Sequence, residues 1–273
     1  MLVALIFLSA CSSTTFLYNR LDTLIGWYVD DYVTLDKTQR DSFDVRLDAL
    51  LAWHREEELP RCIDFLGRFD AQLNQSLSAE QLDGFFSEIA AAADRLQFRI
   101  EDLLIDFGAT LRPEQREEFF QALRREQDEQ REEWLARTDE AYYQDIEDRL
   151  AKNLARVMGR LNKEQRGQIA AAARQYQRLD ALWLAERERW LGQVESLAVP
   201  GLPGWVGEVR AILTTRDSHR APDYAHRFEH NTRLTQQLIG TLINGRTEAQ
   251  DRKLRRKLAA YSRDFEKLLL GAD

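Results

Sequence analysis

One five-residue pattern opens helix after helix in this chain, and it constrains the fold more than any other feature. It occurs as Leu35-Asp36-Lys37-Thr38-Gln39, Leu77-Ser78-Ala79-Glu80-Gln81, Leu111-Arg112-Pro113-Glu114-Gln115 and Leu161-Asn162-Lys163-Glu164-Gln165, with a degenerate fifth copy at Arg246-Thr247-Glu248-Ala249-Gln250. Physically it is a capping box. Asp36, Ser78, Asn162 and Thr247 offer a side-chain oxygen to an orphan N–H at the third helical position. The glutamine at that position reaches back to the N–H of the cap residue. Arg112 is a poor cap, but Pro113 suits the first helical position, where a missing N–H costs nothing. Each glutamine is followed four residues later by an apolar side chain: Phe43, Phe85, Phe119, Ile169 and Leu254. The box therefore also aims the first buried residue of its helix. The staple between the residue before the cap and the fourth helical position is available only to Leu77 with Leu82. The other motif leucines face arginine there and must pack on a different helix. Successive caps are 42, 34, 50 and 85 residues apart. This is a recurrent helix start, not a solenoid of fixed period.

Between these starts, apolar residues recur at three- and four-residue spacing and no stretch alternates like a strand for long. The reading is all-α. Helices are expected over 15–32, 36–75 with a break near Pro60, 78–107, 112–158, 162–197, 203–215, 222–244 and 247–270. Gly108, Gly159, Gly245 and Gly271 stand where C-terminal caps would fall. The stretch 112–158 could form a single helix of about 70 Å at 1.5 Å rise per residue. Its middle, Arg124 to Glu133, is wholly polar and expected to be solvated. The expectation is an elongated array of amphipathic antiparallel helices. The chain of 273 residues, 44% of them apolar, can build one large core. Charged residues make up 31% with the signs interspersed, which suits solvated helix faces rather than disorder. Val199-Pro200-Gly201-Leu202-Pro203-Gly204 is read as a loop inside one array spanning 12–273, or as a subdomain break. The net charge of −8 disfavours a nucleic-acid partner.

The N-terminus carries a second signal. An apolar run from Met1 to Leu8 ends in Ser9-Ala10-Cys11 and is followed at once by polar Ser12-Ser13-Thr14-Thr15. This resembles a bacterial lipoprotein signal peptide spanning 1–11. No Lys or Arg precedes Cys11, which points to a start codon assigned too far downstream. The run is too short to span a bilayer, which takes about 20 apolar residues. The resemblance implies a covalent lipid on Cys11 as the membrane attachment. Ser at position 12 implies sorting to the inner leaflet of the outer membrane, facing the periplasm. Cys62 is then an unpaired thiol, either a small buried hydrophobe or the donor of an intermolecular disulfide.

The helix-start pattern resembles the Leu-Thr-x-x-Gln motif of the Spy/CpxP-type periplasmic proteins. Those are small all-helical proteins of the envelope stress response, among them a chaperone with a cradle-shaped surface. Three further stretches are Tyr18-Asn19-Arg20-Leu21-Asp22, Trp27-Tyr28-Val29-Asp30-Asp31-Tyr32, and Trp53-His54-Arg55 with Glu58-Leu59-Pro60-Arg61. They resemble a family of uncharacterised gammaproteobacterial lipoproteins known only as a domain of unknown function. Cys62 stands where that family would place an aromatic residue. The resemblance implies lipidation and a helical fold, and brings no catalytic residue.

Sites for chemistry were weighed on spacing. His226 and His230 lie one turn apart, with His219, Asp223 and Glu229 nearby. Zinc wants three or four convergent ligands, and only two are placed convincingly here. Cys62 and His54 would sit about 12 Å apart along one helix axis, beyond the reach of a nucleophile and its base. Trp183 and Trp190 share a face and suit the core better than a groove. The last helix is basic at Arg252, Lys253, Arg255, Arg256 and Lys257 and apolar at Leu254, Leu258 and Tyr261. It reads as a helix docked on the core, or as a contact for anionic lipid or an acidic client. No catalytic constellation, metal or cofactor is expected beyond the lipid on Cys11. The functional expectation is a non-enzymatic, chaperone-like binding role toward envelope proteins, with a structural or assembly scaffold for one envelope complex as the alternative.

Overall fold

The computed structural model describes residues 13–197, 204–215 and 220–271. All regular structure among them is helical, arranged as an elongated all-α array. The helices are α1 Ser13–Tyr18, α2 Leu21–Asp30, α3 Lys37–Trp53, α4 Leu59–Gln72, α5 Ala79–Thr110, α6 Pro113–Ala136, α7 Asp139–Met158, α8 Lys163–Ala173, α9 Asp180–Ser196, α10 Trp205–Thr215, α11 Pro222–Asn244 and α12 Glu248–Leu269. The segment 198–203, read from sequence as a loop or break, lies outside the described residues. α10 packs on both α5 and α9, so the helices on either side of that segment share contacts.

Four of the expected helix starts form as full capping boxes, at Asp36–Gln39, Ser78–Gln81, Asn162–Gln165 and Thr247–Gln250. At the fifth, Gln115 Oε1 accepts from the Arg112 N–H at 3.0 Å and Pro113 opens the helix. The Arg112 guanidinium turns away to donate to Asp36, the cap of α3, at 2.7 Å. Phe43, Phe85, Ile169 and Leu254 are buried as the boxes predict, and Phe119 is half-buried beside buried Phe120. Leu77 and Leu82 share one apolar cluster, while Leu111 and Leu161 are buried against other helices. Gly159 and Gly271 end their helices at φ 89° and 66°. Gly108 lies inside α5, and Gly245 closes α11 at φ −88° without entering the left-handed region. Gly240 has a packing role instead: a Cβ there would lie 2.5 Å from Leu82 Cδ1, so the glycine lets α11 approach α5.

The single long helix expected over 112–158 does not form. Arg137 adopts ψ 140° and ends α6, and Thr138 caps α7 by accepting from the Ala141 N–H at 3.2 Å. The break is held from outside. Asp180, almost fully buried, accepts from Arg137 at 2.7 and 3.1 Å and from Arg178 Nε at 2.9 Å. Arg178 also donates to the carbonyls of Trp134 and Arg137 at the end of α6, at 2.9 and 2.8 Å. Both guanidinium groups lie over the Tyr142 ring. The polar middle of α6 is not free in solvent either. Arg124–Glu195, Arg131–Glu188 and Glu126–Arg187 pair it with antiparallel α9.

The helix expected over 162–197 is also two, α8 and α9. Asn231 holds the connection by accepting from the Gln177 N–H and donating to its carbonyl, at 2.9 and 2.8 Å. Asn244 brackets Leu77 in the same way before α5. The stretch expected as 15–32 divides into α1 and α2 around Asn19-Arg20. Near Pro60 the structure shows no break. Residues His54–Glu58 form a widened turn in which the Leu59 N–H reaches back five residues to the His54 carbonyl. Proline lacks a donor and its ring crowds the carbonyl four residues earlier. A π-type turn ahead of it accommodates both and keeps the axis continuous.

Candidate functional site

The capping glutamines do more than cap. Gln39 and Gln115 face each other, each Nε2 donating to the other's Oε1 at 2.8 Å. Gln165 and Gln250 do the same at 2.9 and 2.7 Å. All four are buried. In the first pair each Oε1 also accepts from its own cap N–H, and each Nε2 donates onward, Gln39 to Thr110 O and Gln115 to Thr34 O. Every donor and acceptor of those two amides is thus satisfied, which is what burial of polar groups demands. In the second pair, Gln250 Nε2 donates to Arg160 O. In all three onward bonds the carbonyl lies two residues before the partner's cap. A local capping motif has become two tertiary clasps, one joining the starts of α3 and α6, the other those of α8 and α12. The Ser78–Gln81 box joins no such pair among the described residues. The boxes were legible in sequence; their pairing was not.

A second polar cluster sits at the widened turn. Glu58 is buried and accepts from Arg95 at 2.7 and 2.8 Å and from Arg61 at 2.6 Å. Those hydrogen bonds, Arg95's first, hold its carboxyl below the usual range. One turn earlier, the Tyr18 hydroxyl lies 2.9 Å from His54 Nδ1. Burial holds His54 below its ordinary pKa against the opposing pull of Glu58, and pushes Tyr18 up to about 12. The Tyr18 hydroxyl also lies 3.5 Å from the Leu51 carbonyl, to which it donates, so tyrosine and histidine form one partly buried polar contact at the widened turn. Cys62 is half-buried against the Tyr18, Leu59 and Phe265 cluster, and burial raises its thiol pKa, making it a poorer nucleophile.

The folded chain thus binds fewer protons than the unfolded one at both His54 and Glu58. Stability is expected to fall as pH drops through about 6.5 and again below about 4.5, the ordinary values of the two groups. Thermal melts from pH 8 to 4 should show both losses, and His54→Gln should remove the first. A melting temperature that is flat from pH 7 to 5 would contradict this.

Above Glu58 lies an open cleft of ≈ 500 Å³ between the α3–α4 junction and α5. Trp53 and Phe98 supply apolar surface. Arg61, Arg95 and Arg99 surround them, with Glu57 and Asp94 at the edge. Phe98 is half exposed and Arg99 lies 4.9 Å over the Trp53 ring. The Arg210 guanidinium, ion-paired with Asp102, lies 5.7 Å over the Phe98 ring. Another open cleft, of ≈ 560 Å³ beside the first clasp, is lined by Asp36, Lys37, Gln39 and Arg112 among others. Its polar groups are engaged in the clasp and its ion pairs. In the arginine–aromatic cleft Arg61 and Arg95 are likewise engaged by Glu58. Half-exposed Phe98 and exposed Arg99 still offer an aromatic ring and a guanidinium to solvent there, which makes it the better candidate.

The other sequence candidates disperse. Cys11 and His219 lie outside the described residues. His230 Nε2 is 3.0 Å from the Gln175 carbonyl, Asp223 pairs with Arg227, and Glu229 pairs with Arg233. Among the described residues no group of three or more His, Cys, Asp or Glu is placed to hold a metal ion. Trp183 packs on Trp134 at 5.0 Å, and Trp190 joins the cluster around Trp205. On α12, Leu254, Leu258 and Tyr261 are buried while Arg252, Lys253 and Arg256 face outward. Lys257 is buried over the Tyr261 ring, and Arg255 is tied to Asp251 and Asp70. Among the described residues no helix is long and apolar enough to cross a membrane.

No curated protein and no solved structure matches the chain. The profile of a family of unknown function matches residues 31–225, most of the sequence, and the chain belongs to that family, DUF6279.

Proposed function

We propose that this chain is a lipid-tethered binding protein of the cell envelope, anchored through Cys11 in the inner leaflet of the outer membrane and facing the periplasm. Its role is non-enzymatic and chaperone-like, toward partly unfolded envelope proteins. The observation that carries the reading is the Trp53–Phe98 cleft. Arginine and exposed aromatic rings are the side chains that most often dominate protein–protein contacts. Arginine adds planar stacking and several donors to whatever backbone or carboxylate lies beside an apolar anchor. An apolar client residue would sit on Phe98 and Trp53 while Arg99 meets acidic or carbonyl groups along the client. Its two walls are tied to each other by the Arg95–Glu58 ion pair and by the bond from Gln39 Nε2 to the Thr110 carbonyl at the end of α5. The resemblance of the helix starts to the Spy/CpxP motif and the apolar run ending in Cys11 support the location.

The test is suppression of aggregation of a chemically denatured client by the full chain. The expected result is suppression at molar excess, with Phe98→Ala and Arg99→Ala together reducing it several-fold while leaving the melting temperature unchanged. No suppression at molar excess would overturn the chaperone reading. One stoichiometric partner in pull-downs, without suppression, would replace it with the scaffold reading.

A further inference from the structure

Helix α2 has no buried residue, although six of its ten residues are Leu21, Leu24, Ile25, Trp27, Tyr28 and Val29. Ile25 and Val29 pack toward the core cluster around Val33 and Phe43. The opposite side faces outward: Trp27 is 65% exposed, Tyr28 58% and Leu24 38%. The short helix just before it, α1, exposes another ring. Phe16 is 58% exposed, and the Arg20 guanidinium lies 5.0 Å over its ring, one turn before Leu24. It also has a neighbour from the far end of the chain. Tyr18 packs in one cluster with Phe265 and Leu268, so the last turn of α12 stands beside α1 and presents Leu269 and Leu270, the latter 84% exposed.

We propose that this face, formed by α1, α2 and the end of α12, rests in the headgroup layer of the bilayer. The inference rests on the tether reading of Cys11. Only Ser12 separates Cys11 from α1, so a lipid on Cys11 would hold the first residue of that helix within about 7 Å of the lipidated Cα. A face that close to the anchor must meet either headgroups or something that screens it from them. Its chemistry suits headgroups. Tryptophan and tyrosine combine an apolar ring with a polar tip and collect where one end is dry and the other wet. Phe16 and the leucines supply aliphatic and aromatic surface to insert shallowly. The charges on the α1–α2 stretch are Arg20, Asp22, Asp30 and Asp31, and the last turn of α12 adds exposed Glu266 and Lys267. With no basic cluster, the contact is apolar rather than an attraction to anionic lipid, and it is insensitive to salt.

The test uses the full chain made with its leader, purified from membranes and reconstituted into phosphatidylethanolamine–phosphatidylglycerol vesicles, with or without lipids brominated along the acyl chain. Subtracting the emission of Trp27→Phe from that of the intact protein isolates Trp27. The expected result is a blue-shifted Trp27 signal that shallow bromines quench and high salt leaves quenched. In addition, Cys11→Ser protein should bind vesicles weakly, and Trp27→Ala with Tyr28→Ala should lower that binding by on the order of tenfold. Trp27 and Tyr28 are both exposed, and matching melting curves show that folding is unaffected. Mass spectrometry of the N-terminus separates the two claims. A lipid on Cys11 with Trp27 unquenched overturns the membrane face and leaves the tether standing. No lipid with Trp27 quenched ends the tether and supports the face. Neither lipid nor quenching ends both. A chain that crosslinks to its own copy through this face while Trp27 stays unquenched assigns the face to a dimer and overturns the proposal.

Discussion

Replacing Gln165 with alanine is expected to lower folding stability by about 2–4 kcal/mol, a large effect for one neutral side chain. The substitution removes the acceptor for the Asn162 N–H, at 3.1 Å. It also strips one donor and one acceptor partner from Gln250, which stays buried. A lost cap alone costs about 1 kcal/mol, and each buried group left unsatisfied costs about 1–3 kcal/mol more. Gln165→Glu should be worse than alanine, because a carboxylate oxygen would then face the Gln250 Oε1 with no proton between them. The same argument holds for Gln39 and Gln115. Chemical denaturation of Gln165→Ala, Gln250→Ala and the double variant would measure the clasp itself. Coupling of about 0.5–3 kcal/mol is expected, since the second substitution removes a partner that the first has already orphaned. Strict additivity would mean that the glutamines act only as separate caps. Gln81→Ala, which breaks a box outside the pairs, serves as the control and should cost about the single-cap amount.

Asp180→Ala is expected to cost about 3–5 kcal/mol, the range for breaking a buried ion pair by removing one partner. Asp180 side-chain exposure is 6%, against 22% for Arg137 and 27% for Arg178, so each guanidinium would be left only partly hydrated. Arg178 keeps Asp139 as a partner at 2.7 Å, and Arg137 keeps Asp145 at 3.2 Å, which places the expected cost toward the lower end. The loss should be structural as well as energetic. Without Asp180, Arg137 loses its bond to the start of α9 and only the Arg178 bonds to the Trp134 and Arg137 carbonyls still join the two helix ends, so hydrogen exchange should accelerate around residues 134–142 and 174–182. Asp180→Asn keeps two lone pairs but no charge and should fall between wild type and alanine. Indistinguishable melts for Asp180→Ala and wild type would remove the hub from the account.

These two clusters also show where sequence reasoning stopped. The helix starts were legible because a capping box is local: cap, glutamine and first buried residue sit within eight positions, and Phe43, Phe85, Ile169 and Leu254 were aimed inward as expected. The clasps were not legible. Their partners are 76 and 85 residues apart, and nothing in a box states which other helix end it will meet. Thr138 is the cap of α7, and the sequence reads as a single helix straight through it. The helical periodicity runs through it without interruption, and the force that opens the chain there comes from Asp180 and Arg178, about forty residues downstream. The same is true of 174–179, which has no glycine or proline and is held by Asn231 from α11. Pro60 gave a true signal, an obstacle in the helix, but local rules could not choose between a break and a widened turn. The arginine–aromatic cleft escaped for a related reason. Trp53 and Phe98 belong to different helices, and only packing makes them neighbours.

The central claim is the proposal that the Trp53–Phe98 cleft is the surface on which this protein receives envelope clients. A photo-crosslinking amino acid placed at position 98 in the full chain, expressed in cells with its leader and illuminated during envelope stress, tests it most directly. The exposed position 163 on α8 serves as the control. The account predicts adducts with several envelope proteins from position 98 and few or none from 163. It also predicts that Arg99→Ala reduces those adducts while the amount of protein stays constant. Equal labelling from both positions, or no adducts from position 98, would contradict it.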